Sequence, residues 1–324
     1  MDLLEKIYNQ ARLADRTVVL AEGEDERTLS AAEAALKEKT ANLIILGNQD
    51  KIHARLSGLD NYIAVDIKKD KRRQEFVDRY YALRCAKGLT RQEAESSMDN
   101  ELYFAAMLVR EGYAHASLAG AVNTTGDVLK AGLRVIGPME GVKTVSSFFI
   151  MATKNESLGE AGVLFFADCA VNLEPTPQAL ADIAITTAYS FKNIMNSAPR
   201  VAFLSYSTKG SAGGPGVDKV REALDIMRGR APEILADGEL QADAALVVEV
   251  ALRKAHASPV AGKANVLIFP DLNSANIGYK LVERFAGARS LGPVIQGFAK
   301  PFNDLSRGAG FIDIANMIAV TAVV

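Results

Sequence analysis

The fold is decided by an apolar run near the N-terminus, Thr17-Val18-Val19-Leu20-Ala21, which predicts a buried β-strand. Residues 27–38 place alanines and leucines on one face and predict a helix, and residues 42–46 predict a second strand. Another apolar strand is predicted at 115–119. Because short apolar strands that alternate with helices are typical of parallel sheets, the sequence predicts an α/β domain.

A break at Gly137-Pro138 precedes a second pattern of strands and helices. Residues 143–151 and 162–167 predict two neighbouring strands, which we expect to be antiparallel. Further strand–helix pairs follow them, and a chain of 324 residues is long enough for two domains. The sequence therefore predicts a second α/β domain after the break.

Composition and charge exclude several classes of protein. Hydrophobic residues make up 49% of the chain and charged residues 23%, with a net charge of -2. This balance argues against nucleic acid or an anionic membrane as the main partner, because both bind basic surfaces. The N-terminus predicts a charged helix from Asp2 to Ala14 instead of a signal peptide, and the apolar runs are too short to span a membrane. We expect a cytoplasmic protein.

Cysteines and histidines are too few and too scattered to predict a metal site. The two cysteines are Cys85 and Cys169, and none of the three histidines has a second ligand at metal-binding spacing. Neither cysteine has a neighbouring base in the sequence that would activate it as a nucleophile. A cysteine-based mechanism is therefore disfavoured, and no metal is expected.

The stretch with the densest chemistry is Asn303–Asp313, close to the C-terminus. Arg307 offers a planar fork of donors that suits phosphate, and Gly308 and Gly310 allow the backbone to approach a ligand closely and to adopt positive φ angles. Asp313 falls in the first turn of the last predicted helix, where the helix dipole favours an anion. Two interpretations fit these residues, an anion cradle and a glycine-rich turn capped by the aspartate.

Two other polar loops follow predicted strands. The first, Asn123–Asp127, contains Thr125 and Gly126 and precedes a helix. The second, Ser205–Gly216, combines hydroxyls, one lysine and glycines, and backbone N–H groups in such a turn form an anion-binding nest. Its spacing is not that of a nucleotide P-loop. A helix cap for the first loop and a surface linker for the second remain as alternatives.

Together, these segments resemble the phosphate acetyltransferase (phosphotransacetylase) family. The matching blocks are Asp168–Pro175, Ser205–Ser211, Phe269–Asn273 with Asn276–Lys280, and Pro301–Gly308. They occur in the family's order and span nearly the whole chain. The resemblance implies a two-domain α/β architecture like that of isocitrate and isopropylmalate dehydrogenases, with three-layer sandwiches and a cleft between the domains. It predicts a discontinuous first domain, residues 1–140 with 299–324, and a second domain at 141–298.

The family resemblance also implies an activity. Members move an acetyl group between coenzyme A (CoA) and inorganic phosphate, without a metal or a permanently bound cofactor. The expected partners are therefore small molecules: CoA or acetyl-CoA as substrate, acetyl phosphate and phosphate. The family is usually dimeric, so the resemblance implies a homodimer.

Catalytic roles carry over from the family by position. Asp313 matches the proposed base that takes the proton of the CoA thiol, Arg307 matches the arginine that binds the phosphate of acetyl phosphate, and Ser306 matches the serine that stabilises the oxyanion. Arg84 matches an arginine implicated in substrate binding. Lys130 stands where an arginine is expected, which keeps the charge but loses the bidentate fork. The remaining predicted substrate-binding residues are Thr125, Gly126, Ser207, Thr208, Lys209, Gly210 and Ser211.

The sequence departs from the family at two points and leaves three other functions open. Arg134 is a possible replacement for the arginine missing at Lys130, and Ala309-Gly310 stand where members often have cysteine and serine. A transferase for butyryl or propionyl groups is the nearest alternative. A non-catalytic acyl-CoA sensor is less well supported, because Ser306, Arg307 and Asp313 are all present. A dehydrogenase of the same fold is disfavoured, because the expected metal-binding aspartates are missing.

Overall fold

The computed structural model describes residues 3–324, so the predicted helix start at Asp2 lies outside the described residues. The chain divides into two compact units. The first contains the residues up to Glu140 together with Phe298–Val324, and the second contains Gly141–Gly297. Each unit is built on one β-sheet with helices, so the predicted α/β fold is confirmed.

Strands and helices are numbered along the chain through both units. The strands are β1 (Thr17–Leu20), β2 (Asn42–Leu46), β3 (Tyr62–Val65), β4 (Ala116–Ala119), β5 (Ser146–Ala152), β6 (Val163–Ala167), β7 (Arg200–Leu204), β8 (Leu235–Leu240), β9 (Val266–Ile268), β10 (Arg289–Gln296) and β11 (Phe302–Asp304). The helices are α1 (Leu3–Ala14), α2 (Glu26–Glu38), α3 (Gln49–Arg55), α4 (Arg73–Arg84), α5 (Arg91–Ser97), α6 (Glu101–Arg110), α7 (Thr125–Val135), α8 (Pro177–Met195), α9 (Pro215–Arg230), α10 (Ala242–Leu246), α11 (Val248–Lys254), α12 (Leu272–Ala286) and α13 (Phe311–Val323). Within residues 3–324, no helix combines the length and apolarity needed to cross a membrane.

The first unit is built on a parallel sheet in the order β11-β4-β1-β2-β3. Its central strand, β1, is buried, with Val18, Val19 and Leu20 at most 1% exposed. Strand β11 pairs with β4 in a register that places Asp304 beside Ala119. The end of the chain therefore completes the sheet that the N-terminal residues begin.

The last helix, α13, is apolar because it packs against α1, α2 and the sheet. The residues from Ile314 to Ala322 are buried, whereas the first turn, which carries Asp313, is exposed. Each large apolar side chain buried in this way stabilises the fold by roughly 1.5–3 kcal/mol. The buried length of the helix thus anchors its start, and Asp313 stays at the surface.

The second unit has a mixed sheet in the order β10-β5-β6-β9-β7-β8. Strand β5 is antiparallel to both β6 and β10, so the predicted antiparallel pair is confirmed. The pairs β6–β9, β9–β7 and β7–β8 are parallel. The carboxyl ends of β7 and β8 therefore lie together at one edge of this sheet.

Phe298 belongs to the first unit because its ring covers a glycine of α7. A Cβ atom at Gly132 would lie 2.6 Å from Cζ of the Phe298 ring, which leaves no space for any side chain there. Phe298 also bridges Pro138 in antiparallel fashion. The return of the chain to the first unit thus begins one residue before the predicted boundary at 299.

Candidate active site

Three loops meet at the carboxyl edge of the first sheet, because β11, β4 and β1 are neighbouring parallel strands. Loops at this edge are the usual ligand-binding position in α/β proteins. The sheet brings two groups of predicted site residues to this edge, Thr125 and Gly126 from the β4–α7 loop and Ser306, Arg307 and Asp313 from the β11–α13 segment.

Residues 306–310 form a tight turn that leads into α13. Ala309 donates its backbone N–H to the Ser306 carbonyl at 2.9 Å, and Gly308 donates its N–H to Ser306 Oγ at 3.3 Å. The Asp313 carboxylate accepts the N–H of Gly310 at 3.0 Å, which satisfies a free donor at the helix start. Ser306 and Asp313 are exposed, so their polar atoms are reachable from solvent.

The two glycines of this turn do not adopt the backbone conformation that the sequence suggested. Gly310 has a φ of -80°, and Gly308 also lies outside the positive-φ region. A Cβ atom at Gly308 would come no closer than 3.7 Å to Ser306 Oγ. The two glycines therefore do not use the positive φ angles that glycine allows, and nothing in the described residues requires glycine at these positions.

Arg307 presents an unused guanidinium at this edge. Its side chain is exposed and forms no ion pair with a carboxylate anywhere in the described part of the chain. The carboxylate whose pKa it influences is the buried Asp304, three residues earlier. A planar, always charged group with free donors is well suited to bind a phosphate.

Asp304, the last residue of β11, links the β4–α7 loop to the β11–α13 segment. Thr125 Oγ1 donates to Asp304 Oδ2 at 2.6 Å, while Oδ1 is buried with no hydrogen-bond partner among the described residues. Burial raises the pKa of Asp304 to about 6, and the negative charge of Glu22 adds to this rise, although Thr125 and Arg307 oppose it. A carboxyl group with a pKa of about 6 therefore lies at the end of β11, two residues before the Ser306–Gly310 turn begins.

The β4–α7 loop holds an anion of the chain itself. Glu22, only 6% exposed, accepts the backbone N–H groups of Ala121 at 2.6 Å, Val122 at 3.1 Å and Asn123 at 2.8 Å. Three successive N–H groups around one carboxylate form a nest of the kind that also binds phosphate. Because Glu22 fills this nest, a substrate anion at this loop has to use the amides of Thr125 and Gly126 at the start of α7.

The cations predicted to bind substrate, Arg84 and Lys130, lie on α4 and α7, which pack together. Arg84 is the last residue of α4 and is half-buried, and Lys130 is exposed on α7. Arg134, one turn beyond Lys130, lies near Tyr80. Burial raises the pKa of Tyr80, and the positive charges of Arg134 and Arg84 oppose this rise. The structure thus places Arg84 and Arg134 near Tyr80 in the first unit, and Lys130 lies one helical turn before Arg134 on α7.

The Ser205–Gly216 loop lies in the second unit, between β7 and α9, and it also encloses an internal carboxylate. Glu239 accepts hydrogen bonds from Ser207 Oγ and the Gly210 N–H, each at 2.8 Å, and from the Arg221 guanidinium. Burial disfavours the ionised form of Glu239, but Arg221, Gly210 and Ser207 outweigh it and lower the pKa to about 2. The anion that this loop contacts is therefore a carboxylate of the chain itself, and binding of a substrate anion by the loop stays a prediction.

The other predicted residues of this loop are partly engaged as well. Thr208 is buried and donates its hydroxyl to Gln241, and its backbone N–H donates to Ser211 Oγ at 2.9 Å. Lys209 donates to the buried Asp237 at 2.5 Å and to the Gly238 carbonyl at 2.9 Å. Among the predicted residues of this loop, Lys209, Gly210 and Ser211 are exposed. A role of this loop in phosphate binding stays a prediction.

A cavity of about 490 Å³ opens above β1, β2 and β3 in the first unit. Its acidic lining residues are Glu22, Glu24, Asp25, Asp66 and Glu101, with Lys68 as a single positive charge. Anionic substrates are repelled by such a lining. A phosphate-bearing ligand therefore fits the edge at Arg307 better than this cavity.

Several side chains that shape the site were not predicted from the sequence. Glu22 and Asp304 were not assigned a role, and Arg27, Asp25 and Glu239 were not singled out. Glu22 and Asp25 directly follow a strand that was predicted correctly, so their place at the carboxyl edge of a parallel sheet was a usable signal. Glu239 carried no such signal, because it lies in a strand that was not predicted.

Comparison with known proteins places this arrangement in a family. Residues 2–322 match the family model described as phosphate acetyl/butaryl transferase. A phosphate acetyltransferase of Clostridium acetobutylicum is 48% identical over 327 residues, which span 100% of this chain and 98% of the relative. One of Thermoanaerobacterium thermosaccharolyticum is 47% identical over 325 residues, spanning 100% and 99%.

Solved structures agree with this assignment. A phosphotransacetylase from Streptococcus pyogenes superposes with a TM-score of 0.92 at 38% identity, covering 99% of this chain and 97% of that one. A 4-hydroxythreonine-4-phosphate dehydrogenase from Klebsiella pneumoniae, at 12% identity and a TM-score of 0.53, shares the fold alone over 95% of this chain and 98% of its own. The resemblance to the phosphate acetyltransferase family is confirmed, and the chain belongs to the phosphate acetyl/butaryl transferase family.

Proposed function

We propose that this chain is a phosphate acetyltransferase, which catalyses the reversible conversion of acetyl-CoA and phosphate into acetyl phosphate and CoA. Its full-length similarity to relatives of that name supports the reaction. The structural observation that carries the proposal is the exposed guanidinium of Arg307, which has no ion-pair partner within residues 3–324 and lies beside Ser306 on the turn that precedes α13. The eight residues from Ser306 to Asp313 therefore present a guanidinium that can bind phosphate, a hydroxyl and a carboxylate.

Arg307 binds the phosphate group of acetyl phosphate in this proposal. Its free donors form charge-assisted hydrogen bonds with phosphate oxygens and also stabilise the phosphate as it leaves. Ser306 donates its hydroxyl to the carbonyl oxygen of the acetyl group as negative charge develops there. Removal of one such donor costs about 3–4 kcal/mol of transition-state stabilisation in comparable sites.

Asp313 acts as the general base. It accepts the proton of the CoA thiol, and the resulting thiolate attacks the carbonyl carbon of acetyl phosphate in a ternary complex. The tetrahedral intermediate collapses with cleavage of the carbon–oxygen bond to phosphate, and acetyl-CoA and phosphate are released. The exposed Asp313 carboxylate supports this role, because its hydrogen bond to Gly310 leaves further lone pairs for the thiol.

The remaining predicted residues bind the substrates. Arg84 and Lys130 supply positive charge for the phosphates of CoA, and the amides of Thr125 and Gly126 at the start of α7 bind an anionic oxygen. In the second unit, Lys209, Gly210 and Ser211 contact substrate through their exposed atoms. Ser207 and Thr208 shape that loop through Glu239 and Gln241. Neither a metal nor a permanently bound cofactor takes part.

Synthesis of acetyl-CoA from acetyl phosphate and CoA tests the reaction. We expect thioester formation that requires both substrates and produces one phosphate per thioester. A chain that binds acetyl-CoA without any turnover would instead be an acyl-CoA sensor. Because the family description includes butyryl transfer, butyryl phosphate serves as the second substrate. A higher kcat/KM for butyryl than for acetyl phosphate would assign the chain to that alternative.

The protein acts as a homodimer in the cytoplasm in this proposal. Helix α12 supports dimerisation, because Ile277, Leu281 and Phe285 are spaced by four residues and are 58%, 48% and 86% exposed. Sedimentation velocity of the chain and of its Phe285→Asp variant tests the dimer, and a monomeric wild type would contradict it. Cell fractionation tests the location.

A further inference from the structure

We propose that Arg27 is a positioning residue of this site, which holds the Arg307–Ala309 turn in the conformation that presents Ser306 and Arg307 to substrate. The inference rests on the proposed function for its catalytic consequence. Its structural part, the restraint of the turn by Arg27, rests on hydrogen bonds within the first unit.

The Arg27 guanidinium uses all five of its N–H donors. Nη1 donates to the carbonyl of Arg307 at 2.7 Å and to that of Ala309 at 3.1 Å. Nη2 donates to the Ala121 carbonyl at 2.7 Å and to Asp25 Oδ2 at 3.0 Å. Nε donates to Asp25 Oδ1 at 3.1 Å. No donor remains for a ligand, so this arginine organises other groups and does not bind substrate directly.

These bonds connect the loops that follow three adjacent strands. Arg27 itself follows β1, Ala121 follows β4, and the Arg307–Ala309 turn follows β11, and these strands are neighbours in the sheet. One planar group therefore ties together the carboxyl ends of three parallel strands. Two of its bonds hold carbonyls on both sides of Gly308, which restrains the backbone that carries the Arg307 side chain.

Arg27 is itself held in place by the cap of its own helix. Asp25 is the N-cap residue of α2, and its carboxylate accepts the backbone N–H groups of Arg27 at 2.9 Å and Thr28 at 3.2 Å. Burial disfavours ionised Asp25, but the hydrogen bonds from Arg27 and Thr28 outweigh it and lower its pKa. An ionised Asp25 thus aligns the guanidinium at physiological pH.

A lysine at position 27 cannot form the same set of hydrogen bonds. A lysine ammonium has three donors on one atom, whereas the Arg27 fork reaches four separate oxygen-bearing groups in fixed directions. A misplacement of catalytic groups by about 1 Å lowers turnover by roughly 100-fold. We therefore expect Arg27→Lys to keep the positive charge and to lose the placement of Ser306 and Arg307.

Steady-state kinetics of Arg27→Lys, measured for acetyl-CoA synthesis, test the catalytic part. We expect kcat to fall by about 10- to 100-fold and KM for acetyl phosphate to rise, with KM for CoA within about twofold of wild type. Arg12→Lys is the matched control. Arg12 has 39% side-chain exposure against 36% for Arg27 and likewise bonds a carboxylate and a backbone carbonyl, both of Glu38.

Amide hydrogen exchange of residues 306–310 tests the structural part without reference to activity. We expect the Ala309 and Gly310 amides to exchange faster in Arg27→Lys than in wild type or Arg12→Lys at a temperature where all three are folded. Unchanged exchange and unchanged kcat in Arg27→Lys would overturn the inference. A wild type without turnover, combined with faster exchange in Arg27→Lys, would contradict the proposed function and leave the restraint of the turn standing.

Discussion

Thr125 Oγ1 donates to Asp304 Oδ2 at 2.6 Å, which joins the first residue of α7 to the last residue of β11. The two residues are 179 positions apart in the chain, yet their loops are neighbours because β11 and β4 are adjacent parallel strands. The bond fixes the base of the Ser306–Gly310 turn. Asp304 is 1% exposed, so this link is a buried polar contact.

The buried Asp304 makes stability depend on pH in an unusual direction. Folding raises its pKa from 3.8 to about 6, so the folded state holds this proton more tightly than the unfolded chain. The stabilisation that this tighter proton binding gives the folded state is fully present below the pKa of the unfolded chain and is lost as pH rises through about 6. The loss amounts to about 3 kcal/mol, since one pKa unit corresponds to about 1.4 kcal/mol.

We therefore predict that Asp304→Asn, which cannot ionise, is more stable relative to wild type at pH 7 than at pH 4. Urea unfolding of both proteins at the two pH values measures this difference, and contributions of other ionisable groups largely cancel. A relative stability that is the same at both pH values would contradict a raised pKa at Asp304. Glu22 and Arg307 are the charged groups that face this carboxyl.

Glu239 is predicted to make stability depend on pH in the opposite direction to Asp304. Its pKa is lowered from 4.5 to about 2, so its contribution is present above about pH 4.5 and is lost as pH falls toward 2. Glu239→Gln should lower the free energy of unfolding at pH 7 by about 3 kcal/mol, and less as the pH falls below 4. Asp225→Asn on the exposed face of α9 is the control, with an expected change within about 0.5 kcal/mol. Equal effects of the two variants would refute the role of Glu239.

The packing of Phe298 against α7 predicts an asymmetric response to added methyl groups. Gly132→Ala should lower the free energy of unfolding by about 1–3 kcal/mol, because the new Cβ would lie 2.6 Å from the ring. Gly229→Ala in α9 has open space and should raise stability by up to about 1 kcal/mol through helix propensity. Thermal unfolding of the two variants measures both signs. Stabilisation by Gly132→Ala would mean that Phe298 does not pack as described.

Arg307→Gln is predicted to affect the two substrates unequally. The variant loses the charge and the fork that bind phosphate, so KM for acetyl phosphate should rise by about tenfold or more, with KM for CoA changed by less than about threefold. Arg253→Gln, an exposed arginine of α11, is the control and should match wild type. Equal increases of both Michaelis constants would rule out Arg307 as the phosphate ligand.

The sequence predicted the fold well where apolar runs carry the pattern. The strands predicted at residues 17–21 and 42–46 are confirmed as β1 (Thr17–Leu20) and β2 (Asn42–Leu46), because their alternation with helices has few other solutions. Strand β8 was missed, because its segment Leu-Ala-Asp-Gly-Glu-Leu has the composition of a turn. Asp237 and Glu239 are tolerated there because Lys209, Arg228 and Arg221 pair with them from other elements.

The exposed residues of the candidate site were predictable from the sequence, but their internal partners were not. The family resemblance singled out Ser306, Arg307 and Asp313, and the structure exposes all three, the first two on the Ser306–Gly310 turn and Asp313 in the first turn of α13. It could not show that Glu239, about 30 residues after the Ser205–Gly216 loop begins, fills that loop with an internal anion. Local sequence reports which donors a loop has, whereas tertiary pairing decides which of them remain free.

Release of free thiol from acetyl-CoA is the most direct test of phosphate-dependent acetyl transfer at residues 306–313. We predict release that requires phosphate or arsenate, that saturates with phosphate, and that falls by at least about 100-fold in Asp313→Asn while the variant stays folded. Thiol release that is independent of phosphate, or that stays at the wild-type rate in Asp313→Asn, would contradict the account.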